Sequence, residues 1–329
     1  MKRVMYTLSE VKEKIAGGQG LILAGDEELL KQIPSGKWIA GTIPYFMAEN
    51  GGVFSTDKIC VTEIPSYVKE VSIKKYNAAN IEKVFKDAPA NGLSVIIIPA
   101  TSTTHLQFAL NAPGFDGFGT KPLIGWISGI NLENLGKITP KVFSGQNKEI
   151  IEDGAVVMHV TLPDNKYANI NIINIFEQST GDTITFPMDA FYAVDAFING
   201  KKRNFAEYLT EIKADTKLPL VADYLGAMVN TSFQSIDKEQ KKVNFYAPIF
   251  KGIEYKLAAP VGDYVSCFNE QMPSKDANAI FFSCNCILNY LYSELEGKKT
   301  GGVTGPITFG EIAYQLLNQT MVYLTIESR

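Results

Sequence analysis

The chain has little of what most enzyme centres are built from. Its 329 residues include two histidines, His105 and His159, and four cysteines, Cys60, Cys267, Cys284 and Cys286. Two distant histidines with no Cys-x-x-Cys pair do not make a zinc set. A Cys-x-Cys step inside an apolar run is not a disulfide-framework spacing, and a chain this long needs no staples. Reduced thiols and a cytoplasmic setting are therefore expected. There is no P-loop and no Gly-x-Gly-x-x-Gly. The run Gly114-Phe115-Asp116-Gly117-Phe118-Gly119 has its glycines at other spacings and follows a helix instead of opening one. A Gly-x-Ser-x-Gly nucleophile elbow is also missing. No cofactor and no metal are implied.

Excess positive charge is missing too. The formal net charge is −4, and the basic steps Lys74-Lys75, Lys201-Lys202-Arg203 and Lys241-Lys242 are short and flanked by polar loop residues. They read as solvated surface, and a nucleic-acid partner is not expected. No apolar run approaches the roughly 18 residues of a membrane span. The start Met1-Lys2-Arg3 is not followed by a signal-peptide core, because Ser9, Glu10, Lys12, Glu13 and Lys14 interrupt it. No membrane partner is expected. Hydrophobic residues make up 46% and charged residues 20%, which places the chain among packed globular proteins of about two domains.

What is present is a repeated order of elements. Thr7 and Glu10 form a capping box before Leu8, Val11 and Ile15, which fall at helical spacing. Gly20–Gly25 is a buried strand, Asp26 caps a helix predicted to reach Ile33, and Trp38–Ile43 and Lys58–Ile64 are strands. The order recurs with strand Ser94–Ile98, helix Ser102–Leu110, strand Pro122–Ile127 and strand Ala155–Leu162. It recurs again with strand Ala279–Cys284, a helix from Asn285 to Leu295, the run Val303–Glu311 and strand Met321–Ile326. Each unit carries an apolar–Gly step, at Ala40-Gly41, Ile124-Gly125 and Thr304-Gly305. Three matches in one order mark duplicated modules, and the alternation of strand and helix predicts an α+β (mixed α/β) fold of mixed sheets flanked by helices. A β-rich stretch at 168–198 precedes the Asn199-Gly200 turn and a helix face of Phe205, Tyr208, Leu209 and Ile212. The domain boundary is placed near residue 190, giving domains 1–189 and 190–329.

The later blocks resemble a known family. Phe197-Ile198-Asn199-Gly200-Lys201 with its following helix, Pro260–Val265 before a strand, Phe282-Ser283-Cys284, Gly305–Ile312 and Leu317-Asn318-Gln319-Thr320 occur in the order of the C-terminal domain of FIST proteins. The first half is similar to that family's N-terminal domain in the order of its elements. The resemblance implies a sensory module for amino acids or related metabolites that feeds a signalling protein partner.

Three places could carry chemistry. Gly310-Glu311 could bring a carboxylate to a ligand amine, or be a turn glycine with a surface acid. Cys284-Asn285, at a strand end and helix start, could be a nucleophile, an anion-binding nest or a pocket wall. Thr101-Ser102 and His105, after the middle strand, could hold an anionic group or supply an ordinary helix cap. The resemblance adds Thr308 and Asn318. The preferred expectation is a non-enzymatic small-ligand sensor. The alternatives are a hydrolase or transferase using Cys284 or Glu311, and an assembly subunit with Phe118, Trp126 and tyrosines at its interface. His159 is expected to be an ordinary strand residue.

Overall fold

A computed structural model describes residues 3–224, 226–272 and 279–329. It is mixed α+β, with many strands and few, short helices. Compactness divides the chain into two units. One comprises Met1–Ile172, Met272–Leu316 and Met321–Arg329, and the other Ile173–Gln271 and Leu317–Thr320. This division is not one of consecutive halves meeting near residue 190. The physical reason is strand pairing. Strand Gly305–Thr308 pairs with Ile280–Cys286 on one side and with Tyr45–Ala48 on the other, which ties the end of the chain to its beginning.

In the first unit the expected repeats are three copies of one sheet centre. Each has a first strand, a parallel second strand and an antiparallel third strand. The copies are Leu21–Gly25, Trp38–Thr42 and Ile59–Glu63; Gly92–Pro99, Leu123–Ser128 and Ala155–Thr161; and Ile280–Cys286, Gly305–Thr308 and Met321–Ser328. The first strands read as unbroken apolar runs because both faces are covered. Val95, Ile96, Ile97 and Ile98, for instance, are all fully buried.

Each sheet is then completed by a hairpin from another repeat. Val142–Ser144, from the second repeat, pairs with Trp38–Thr42 of the first. Glu311–Ala313, from the third, pairs with Leu123–Ser128 of the second. Tyr45–Ala48, from the first, pairs with Gly305–Thr308 of the third. The exchange closes a ring, so no second strand is left as an unpaired edge.

Local chemistry sets the element ends. The Thr7–Glu10 capping box starts helix Leu8–Ala16 as expected. The helix after Asp26 spans only Glu27–Leu30 and stops short of Ile33, because Pro34 disfavours helical backbone before it. The largest departure is in the third repeat. Strand Ile280–Cys286 continues two residues past its expected end, and the helix is Ile287–Tyr292. Asn285 pairs with Ile307 on one side and Met321 on the other, and that two-sided ladder overrides the preference of asparagine for a helix start.

The second unit has its own core of Phe186, Phe205, Phe233, Phe245 and Tyr255. Asn199 and Gly200, at φ +49° and +79°, turn the hairpin Asp195–Ile198/Lys201–Asn204, as its two-residue loop requires. Asn204 caps helix Phe205–Glu211 through a bond from the Glu207 N–H. Pro260–Val265, expected before a strand, leads instead into helix Tyr264–Gln271. Among the described residues, no helix is long and apolar enough to cross a membrane.

Candidate functional site

Cys284, Asn285, Thr308, Gly310 and Glu311 are neighbours in the first unit. Thr308 sits at the centre of the group. Its hydroxyl has three acceptors within reach: the Gly310 carbonyl at 3.1 Å, the Asn285 carbonyl at 3.3 Å and Glu311 Oε1 at 3.4 Å. Gly310 is held through its carbonyl, which accepts from the Ile127 N–H at 2.8 Å. The Glu311 side chain is completely buried, and its backbone pairs with Trp126. The Cys284 thiol donates to the Gly125 carbonyl at 3.3 Å. Burial first, then the nearby Glu311 and Cys286, push that thiol well above its usual range despite the Thr308 hydroxyl. A thiol so held is protonated at neutral pH and is a poor nucleophile.

The side chains of Cys284 and Asn285 point to opposite faces of their strand. Successive residues of a strand face opposite sides, and both lie within Ile280–Cys286. Cys284 and Cys286 face Thr308 and Glu311, whereas Asn285 faces away. The amide of Asn285 has a fixed orientation. Its Oδ1 accepts from the Cys286 N–H at 2.8 Å and from Asn289 Nδ2 at 2.9 Å, so its Nδ2 is the group left to donate.

Space exists beside both Cys284 and Asn285. A cavity of about 10 Å³ is lined by Met47, Asn285, Thr300 and Met321 together with neighbouring residues. A second, of about 20 Å³, shares Ser283, Val303 and Thr304 with the first and extends to Val4, Val61 and Thr62. Each has room for about one or two water-sized groups. Asn285 Nδ2 and Thr300 Oγ1 are buried without a hydrogen-bond partner among the described residues. Sequence reasoning missed Thr300, because Lys298-Lys299-Thr300-Gly301-Gly302 reads as a polar surface loop, yet this threonine is 1% exposed.

The remaining expected residues lie elsewhere. Ser102 caps helix Thr103–Asn111, accepting from the His105 N–H and donating to the Pro99 carbonyl. His105 Nδ1 accepts from the Thr101 N–H at 3.2 Å. The carboxylate of Asp153 takes both the N–H and the hydroxyl of Thr104 at 2.9 Å. An anion expected at this helix start is thus pre-empted by a side chain of the protein. Asn318 belongs to the second unit, where its Oδ1 accepts from the Ser232 N–H and its carbonyl from Asn230 Nδ2.

A protein-family model described as a family of unknown function (DUF6976) matches residues 6–327. The chain belongs to that family. The match runs through both compact units. No curated protein matches the chain.

His159 has partners that its place in a strand did not disclose. Its Nδ1 lies 2.7 Å from Ser94 Oγ and its Nε2 lies 3.1 Å from the Tyr76 hydroxyl. Tyr76 donates to Asp87 at 2.9 Å, and Asp87 pairs with Lys74 at 3.2 Å. Because Tyr76 spends its one proton on Asp87, Nε2 must carry the imidazole proton and Ser94 donates to Nδ1. Burial, with Lys74 and Lys121 nearby, lowers the histidine to about 4, so the ring is neutral at pH 7. This buried chain is structural polarity within one sheet, since His159 pairs with Ser72 and Ser94 on the flanking strands.

Proposed function

We propose that the chain is a non-catalytic, cytoplasmic binding protein that senses a small ligand and reports through a protein partner. The resemblance of its later blocks to FIST domains supports the sensory role. One observation carries the binding site: Asn285 and Thr300 line one cavity, and among the described residues Asn285 Nδ2 and Thr300 Oγ1 are buried without a partner. Leaving a buried polar group unpaired costs about 1–3 kcal/mol, and a ligand atom that pairs both groups recovers that cost.

A thermal-shift screen against amino acids, carboxylic acids, nucleotides, and small amides and ketones tests this reading. A ligand at a hundredfold excess over its dissociation constant stabilises the fold by about 2.7 kcal/mol. The expected result is a shift by one chemical class that is lost in Asn285→Leu. A ligand that shifts the wild type and Asn285→Leu equally places its site elsewhere.

The burial of Cys284 and Glu311 weighs against the hydrolase or transferase alternative. An alkylating probe at pH 7.5 is expected to label Cys267, the one partly exposed cysteine among the described residues, and to reach Cys284 only on unfolding. Fast labelling of Cys284 in the folded chain, mapped by peptide mass, would restore the nucleophile reading.

A further inference from the structure

We infer that the ligand of the Asn285–Thr300 site is uncharged and enters with a carbonyl oxygen leading. This rests on the binding role proposed above and names its chemistry. The Asn285 amide cannot flip to offer its oxygen, because Oδ1 already receives the Cys286 N–H and Asn289 Nδ2. The group that Asn285, a residue of the cavity wall, has left to offer is therefore a fixed donor, and Thr300 supplies a hydroxyl that can turn to donate as well. Two donors on residues that line one water-sized space fit one acceptor atom with two lone pairs.

The walls decide against charge. Among the described residues, no Asp, Glu, Lys, Arg or His lines either cavity. A carboxylate there would have two neutral donors and no counter-ion, and an ammonium would have no carboxylate to meet. Burying an ion under those conditions is strongly unfavourable. Beside Ser283, Cys284 and Thr304, the thioether and aliphatic surfaces are those of Met47, Met321 and Val303. They suit the carbon attached to a carbonyl. The two cavities, of about 10 and 20 Å³, share Ser283, Val303 and Thr304, so they admit a carbonyl oxygen and only a small body beside it. Small primary amides and simple ketones have this form. Free amino acids and phosphates do not.

Acetamide, acetate and methylammonium separate the possibilities, because they share a size and differ in charge. Saturation-transfer NMR on the full chain at pH 7 is expected to show acetamide bound and the two ions at background. The acetamide signal should fall at least fivefold in Thr300→Val, which removes one donor, keeps the shape of the side chain and leaves the bonds of Asn285 untouched. Asn285→Leu should abolish the signal, with circular dichroism confirming that each variant is folded. Acetate or methylammonium bound as well as acetamide would overturn the charge argument. No signal from any of the three would make the cavity a water site and end the inference. The broader binding role is judged separately, by whether any ligand found in the thermal-shift screen depends on Asn285.

Discussion

Gly125→Ala is expected to destabilise the first unit by on the order of 4 kcal/mol, enough to leave much of the protein unfolded at 37 °C. A Cβ at this position would overlap the carbonyl oxygen of Ile96 on the neighbouring strand. That carbonyl has nowhere to go. Ile96 pairs with Gly125 on one side and with Val157 on the other, in the middle of a sheet buried on both faces. Gly305, in the third repeat, would meet the Ser283 carbonyl in the same way, so Gly305→Ala should be similarly severe. Gly41 differs. Its nearest obstacle is Cγ2 of Ile97, at 2.6 Å, and a side chain can shift where a paired backbone cannot. Gly41→Ala should cost about 1–3 kcal/mol, typical of an overpacked core. Gly114 has nothing within 4 Å and serves as the neutral control. Urea denaturation followed by circular dichroism would order the four variants. A Gly125→Ala protein within 1 kcal/mol of wild type would show that the sheet can open there at little cost.

That ordering also shows how much of the fold the sequence disclosed. The three apolar–Gly steps correctly signalled three repeats, because buried first strands and parallel second strands leave long apolar runs. They did not disclose register. Gly125 and Gly305 stand opposite the carbonyl of a first strand, whereas Gly41 lies next to the end of its own second strand, opposite Ala24. Sequence spacing cannot distinguish these, since the partner strand sets the register. The ring of exchanged hairpins was hidden for the same reason. Nothing local in Tyr45–Ala48 says that it pairs with residues near 305, about 260 positions away.

The candidate site was legible in composition and illegible in direction. Thr308, Gly310 and Glu311 were expected beside Cys284, and they are there. The error was to read Cys284 and Asn285 as one corner at a helix start. Two more residues of strand pairing point their side chains to opposite faces, although both residues line the smaller cavity. A one-residue change of direction is a complete change of face in a strand, so any site predicted at a strand end inherits the uncertainty of that end. Asn318 shows the reverse case. Its hydrogen bonds to Asn230 and Ser232 anchor a four-residue segment, Leu317–Thr320, in a unit whose other residues lie 46 or more positions earlier, and no motif marks such a crossing.

Acid should loosen the fold well before its carboxylates titrate. His105 and His159 are both lowered from 6.5 to about 4, each chiefly by burial. A histidine whose folded value is depressed is neutral in the native protein and takes up its proton first in the unfolded chain. Stability is then full above pH 6.5 and falls as the pH drops toward 4, where the folded ring finally titrates. Each histidine accounts for up to about 3 kcal/mol across that window. Asp87 does not offset this. Although burial works against its charged form, the Tyr76 and Lys74 hydrogen bonds keep it below its usual range, so it stays ionised through most of the same interval. Unfolding free energies from urea titrations at pH 7.5, 6.5, 5.5 and 4.5 should therefore decline steadily, with the loss about halved in His159→Gln. That variant keeps a polar group between Ser94 and Tyr76 but has nothing to protonate. An unchanged slope in His159→Gln would mean that the ring already reaches solvent in the folded state, and that the Ser94–His159–Tyr76–Asp87 chain opens without unfolding the sheet around it.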